Sequence, residues 1–215
     1  GKECVSWFYV EDLDAANTDS DVGQIWTRSS ASVTLSDHQQ DVADRTRELN
    51  QKIGVVEEFD GAVVDAARHH DDGKSDPRFQ LMLGRRGEQP ELAKSVVRSK
   101  QQAARAAERC GLPKGWRHEQ MSVVLAAAAG IDDELTLRII GCSHGNGRFG
   151  FPHTGKGLVS FDYPKETLAI AERLFTTGVW DSLVERTNRR IGAYAVSYLE
   201  AIERAADAQI SSEGR

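Results

Sequence analysis

The stretch AARHHDDGKSDPRF, Ala66 to Phe79, sets two histidines and two aspartates in consecutive positions, followed by Gly-Lys. Imidazole nitrogen and carboxylate oxygen together suit manganese, iron, cobalt, nickel or zinc, and one carboxylate can bridge two ions. Two ions about 3.5–4 Å apart activate water and stabilise the leaving oxygen in phosphodiester hydrolysis. Neighbouring residues on a helix diverge by about 100°. His70 and Asp71 therefore reach one metal pair only at a relaxed helix end, which Asp72-Gly73 supplies. The chain has 6 histidines, at positions 38, 69, 70, 118, 144 and 153. Four of them (His38, His70, His118 and His144) fall where helices are expected to begin or end. Helix ends converge on one layer of an antiparallel bundle, so these four and Asp71 can meet although they are far apart in the chain. Taken singly, each of these histidines reads equally as a cap or a surface residue.

The elements that would position them follow from turn chemistry and periodicity. A helix is expected over 36–54, with Ser36 and Gln39 at capping-box spacing and Gly54 as its stop. A second begins near Glu57, carries Val63, Val64, Ala66 and Ala67, and stops at Gly73. Asp76-Pro77 opens a short third through RFQLML, with proline at a first-turn position. Further helices are expected over 90–109, 117–129, 133–143, 164–175, 179–187 and 190–211, with MSVVLAAAAG (Met121 to Gly130) as a buried segment. A Gly-rich loop spans Gly145 to Tyr163. Little of the chain alternates with period two, so the expected class is all-α. Residues 1–33 read as an acidic, turn-rich lead-in. Gly1 in place of an initiating methionine suggests that the natural chain extends upstream.

Bulk composition sets limits. With 40% hydrophobic and 28% charged residues the chain reads as one ordinary globular domain. No run of eighteen or more apolar residues is present, so no membrane span is expected. The 3 cysteines (4, 110 and 142) are widely spaced and lack CxxC pairing, which points to a reducing cytoplasm. A net charge of −6 argues against holding nucleic acid by overall charge. The charge is uneven, however. Arg85 to Arg117 holds nine Lys or Arg against three Glu, a surplus of six that leaves −12 on the remainder. That basic segment reads either as a phosphate track or as a solvated face. GFPHTGKG, Gly150 to Gly157, nearly spells a phosphate loop. It has Gly157 where the magnesium-binding hydroxyl belongs and lacks the flanking strand and helix, so no nucleotide site is expected.

The motifs ARHHDDGK, LSDHQQDVADRT, LAKS, LPKGWRHEQMSVVLA, CSHGNGRFGFP and YLEAIERAADAQIS resemble those of the HD superfamily of metal-dependent phosphohydrolases. In particular they are similar to the HD nuclease domain of the type I CRISPR nuclease-helicase, over about residues 33–212. The unmatched upstream segment resembles variants in which the helicase precedes the nuclease. The resemblance implies an HD helical bundle over 34–215 that hydrolyses single-stranded DNA. It also implies one or two divalent ions and, as partners, a helicase and an RNA-guided surveillance complex. His38, His70 and Asp207 would hold the first ion, Asp71 would bridge, and His118 and His144 would hold the second, with Glu203 as a substitute for Asp207. Lys74 would meet the scissile phosphate, with Arg148 and Ser143 as further substrate contacts.

One departure stands out: Ser143 precedes His144 where the family commonly has a second histidine. The second site thereby loses a nitrogen donor, which makes manganese or magnesium more plausible ions there. Cys142 reads as a buried small residue, His69 as supporting or exposed, and His153 as a loop residue. Two other readings compete: an HD-type nucleotide phosphohydrolase, and a metal-poor interaction module.

Overall fold

A computed structural model describes residues 32–96, 100–148 and 150–214. The expected lead-in lies almost wholly outside the described residues, as does Cys4. The fold is all-α, with isolated bridges and no strands among the described residues. In chain order the helices are α1 (Leu35–Ile53), α2 (Glu57–His69), a 3-10 turn (Asp72–Ser75), α3 (Pro77–Leu83) and α4 (Lys100–Arg109). They continue with α5 (His118–Ala128), α6 (Glu134–Cys142), the short α7 (Gly155–Leu158), α8 (Lys165–Phe175), α9 (Val179–Ile191) and α10 (Ala193–Glu213). No described helix is long and apolar enough to cross a membrane.

Several elements differ from expectation: α2 ends early, the expected Gly-rich loop holds α7, α9 runs on to Ile191, and α1 and α4 start elsewhere. The cap of α1 is Thr34 rather than Ser36: the Thr34 hydroxyl accepts from Asp37 N at 3.1 Å. The helix expected from residue 90 begins at Lys100. Upstream of it, Gln80 holds both backbone groups of Leu92, donating to its carbonyl at 2.9 Å and accepting from its N–H at 2.8 Å. Leu35 N bonds Glu91 O and Ala93 N bonds Val33 O. Tertiary partners thus take up the backbone polarity that a helix would have satisfied internally.

α5 lies at the centre of the fold, buried on nearly every side from His118 to Val124. Around it pack Phe79, Met82, Leu135, Ile139, Ile140 and Trp180. A second, smaller apolar cluster, Val42, Ala43, Val64, Ala67, Ala206 and Ile210, joins α1, α2 and α10. A buried ion pair, Arg138 Nε to Glu200 Oε1 at 2.8 Å, links α6 to α10.

Candidate metal centre

The smaller apolar cluster positions half of the site. His38 stands one turn before Val42, His70 one turn after Ala67, and Asp207 beside Ala206, so packing these three helices brings three distant side chains together. His38 Nε2 lies 3.2 Å from Asp207 Oδ1 and 3.7 Å from Asp71 Oδ2. His70 Nε2 is 3.3 Å from Asp71 Oδ2. Its Nδ1 donates to the Ala67 carbonyl at 2.7 Å, and this bond turns Nε2 toward Asp71.

The other half depends on the chain between α2 and α3. Helix α2 ends at His69 rather than at Gly73, and Asp71 takes φ −106°, ψ 6°, the sparsely populated bridge region. This is the relaxed terminus that lets both His70 and Asp71 face inward. The 3-10 turn then lies directly on α5: Gly73 N donates to Ser122 Oγ at 2.8 Å, and Ser122 Oγ donates to His118 O at 3.0 Å. That contact sets His118 Nε2 3.2 Å from Asp71 Oδ1. His144, just past α6, presents its Nε2 at 2.9 Å from His118 Nε2.

Two donor groups result. Ligand atoms of His38, His70 and Asp71 lie within 4.8 Å of one another, and so do those of Asp71, His118 and His144. Asp71 belongs to both. Its two carboxylate oxygens are fully buried without an aligned hydrogen bond, as is His70 Nε2. Imidazole nitrogens and the Lys74 ammonium nonetheless surround them, with Lys74 Nζ 3.0 Å from Asp71 Oδ2. Leaving a buried carboxylate so poorly bonded is costly. A divalent ion between the nitrogens and the carboxylate satisfies every one of these atoms, and four imidazoles with one shared carboxylate are a fitting donor set. The buried cluster can hold a metal ion.

Electrostatics prepare Asp71 for that role, whereas His70 must release a proton to a bound metal. Burial pushes the Asp71 carboxyl upward, but His70, Lys74 and His118 outweigh it and hold the group well below the ordinary carboxylate range. Burial lowers His70, yet Asp71, Glu203 and Asp207 together raise it to about 10. Asp207 is likewise held low: burial is outweighed by His38 and His70.

The remaining expected residues separate. Asp207 reaches the cluster through His38, keeps 23% of its side chain exposed, and accepts from Ser211 Oγ at 3.1 Å. Glu203, one turn earlier, is fully buried with neither oxygen hydrogen-bonded, and Oε1 lies 4.0 Å from His70 Nδ1. Burial raises its carboxyl to about 8. Ser143 is buried and its hydroxyl makes no hydrogen bond. Arg148 gives its guanidinium to Glu200, Nε donating at 2.7 Å, which ties the Gly-rich loop to α10. His69 bonds Asp72 at 2.8 Å beside the cluster, and Asp72 also accepts from Gln39 at 2.7 Å. The Cys142 thiol is buried and, mainly for that reason, pushed up to about 12, an inert state. His153 Nε2 bonds the Lys114 carbonyl in the loop.

The chain matches no protein-family model, no curated protein and no solved structure. The geometry of the cluster therefore carries the functional reading. It also adds a residue that the sequence did not disclose. Glu119 is fully buried, with Oε2 3.7 Å from His118 Nδ1 and Oε1 accepting from Asn146 at 3.1 Å. At that distance the contact is electrostatic, and Oε2 has no hydrogen-bond partner of its own. The only signal for it was adjacency to His118, which the divergence of neighbouring helical residues argues against.

Proposed function

We propose that this chain is a metal-dependent nuclease domain of the HD type, hydrolysing phosphodiester bonds of single-stranded DNA in type I CRISPR interference. The observation that carries the reading is the position of Asp71, shared between the pair His38 and His70 and the pair His118 and His144. One buried carboxylate between two imidazole pairs suits two ions better than one. When bound, such ions supply activated water and charge stabilisation at the leaving oxygen.

His38 and His70, with Asp207 behind His38, hold one side of this centre, and His118 and His144 hold the other. Asp71 remains ionised because the surrounding cations favour its charge, as a bridging ligand requires. Lys74, on the same 3-10 turn, brings an ammonium to the cluster and counters the negative charge that grows on the scissile phosphate. The preponderance of imidazole nitrogen favours manganese, cobalt, nickel or iron over magnesium. Overall negative charge fits delivery of the strand by partners, a helicase and an RNA-guided surveillance complex, in place of strong intrinsic affinity.

The test is a cleavage assay on circular single-stranded DNA with manganese, paired with metal analysis. Two ions per chain and chelator-sensitive linearisation of the circle are expected. Turnover of free deoxynucleotides with intact DNA would assign the centre to a nucleotide phosphohydrolase instead. A folded chain that neither retains metal nor cuts would make it an interaction module.

A further inference from the structure

Four of the nine cations in the Arg85–Arg117 segment converge on one groove of about 800 Å³. Arg105 and Arg109 contribute from one face of α4, spaced four residues apart, and Arg85 and Arg86 contribute from the loop after α3. None of the four makes an ion pair with a described carboxylate, and no acidic residue is among the described residues lining the groove. Three of these guanidiniums are exposed and Arg85 is half-buried, its Nε donating to Gln89 O at 2.7 Å. Between them lie exposed aliphatic side chains, Leu81 and Val96.

We infer that this groove carries the phosphodiester backbone of a single nucleic-acid strand toward the metal centre. The inference deepens the nuclease reading and rests on it for the strand's destination. Four guanidiniums facing no described carboxylate call for a polyanion, and the planar fork of arginine matches phosphate oxygens in pairs. The volume exceeds what one phosphate needs and lies in the range of ligand sites. The aliphatic strip offers contact to sugar and base faces without a sequence code, and no aromatic side chain is among the described lining residues.

The groove also shares helix α1 with the centre. Thr34 lines it and caps α1, and His38 lies one turn further on the same helical face, about 6 Å along the axis. Leu92, another lining residue, is bonded to Gln80, which also donates to the Lys74 carbonyl at 2.7 Å.

The experiment measures binding of a fluorescent oligothymidylate by the full chain in a chelator, where no cleavage intervenes, across a salt series. If each arginine neutralises one phosphate, the log–log salt slope is about −2.8, and affinity falls about 50-fold between roughly 50 and 200 mM salt. The double variant Arg105→Gln/Arg109→Gln reduces the slope to about −1.4 and the fall to about 7-fold. Arg85→Gln/Arg86→Gln behaves alike, and lysine at all four positions retains the slope. The Arg105→Gln/Arg109→Gln variant keeps the wild-type melting temperature, since those exposed guanidiniums make no ion pair with a described residue, and the Arg85 variants lose only the bond to Gln89 O. Wild-type affinity and slope in both glutamine variants overturn the groove. Competition by polyglutamate as effective as that by oligothymidylate overturns it in favour of an acidic protein partner, and equal competition by a nucleoside triphosphate makes it a nucleotide site. Loss of cleavage with metal, alongside retained arginine-dependent binding, sinks the nuclease reading alone.

Discussion

Gly73 is the narrowest point between the two halves of the centre. A Cβ built there would stand 2.0 Å from His118 O, and 2.9 Å from both His118 C and Ser122 N. All three are backbone atoms of α5, so no side chain can rotate away. Normal contact begins near about 3.5 Å, and in Gly73→Ala the 3-10 turn must therefore retreat from α5 by roughly 1.5 Å. Overpacking of this kind costs about 1–3 kcal/mol. Weakening the bond from Gly73 N to Ser122 Oγ adds about 1 kcal/mol. At roughly 2–4 °C per kcal/mol for a chain of this size, the melting temperature falls by about 4–16 °C. The same retreat separates Asp71 from His118, and manganese affinity drops by about 10- to 100-fold. Gly61, in α2, is the control: nothing lies within 4 Å of its would-be Cβ. Gly61→Ala should gain about 0.5–1 kcal/mol from helix propensity and leave metal binding alone. Thermal melts in chelator and calorimetric manganese titrations read both effects. If Gly73→Ala melts with the wild type and binds manganese equally well, the proposed dependence of the centre on this close approach is wrong.

Asp71→Asn removes the shared ligand, so metal analysis should find both ions lost together; one ion kept at wild-type affinity would refute bridging. His144→Ala touches only the second group, so stoichiometry should fall from two ions to one while His38 and His70 retain theirs. Chelated protein should lose stability as pH rises. Folded His70 and Glu203 stand near 10 and 8, above their ordinary 6.5 and 4.5, so their stabilisation is complete below the ordinary values and is lost as each deprotonates. The depressed Asp71 and Asp207 act oppositely, their contribution being lost only as pH falls below 3.8. Bound metal competes with these protons and should reverse the alkaline trend. Urea melts of the chelated protein that grow more stable from about pH 5 to about pH 9 would contradict the assignment of these groups.

Much of this protein was legible from local chemistry. Gly54, Asp76-Pro77 and the long apolar stretch after His118 placed helix ends and the central helix within a residue or two, because turn and cap preferences act over a few positions. The crowding of His70, Asp71, Gly73 and Lys74 marked the centre for a similar reason: such a run suits neither a core nor an ordinary helix end.

Other features had no local signature. Thr34 displaced Ser36 as cap, and residues 91–96 lost their expected helix to bonds from Gln80, Leu35 and Val33. Glu119 behind His118, the commitment of Arg148 to Glu200, and the gathering of four arginines into one groove are likewise contacts between separate elements. The helical class and the kinds of ligand on offer could be read without a fold, since both follow from side-chain chemistry and short-range periodicity. Packing alone set how closely the 3-10 turn approaches α5 and at what distances the two imidazole pairs stand about Asp71. Those depend on the packing of helices remote along the chain, where a single methyl group at Gly73 is enough to change the answer.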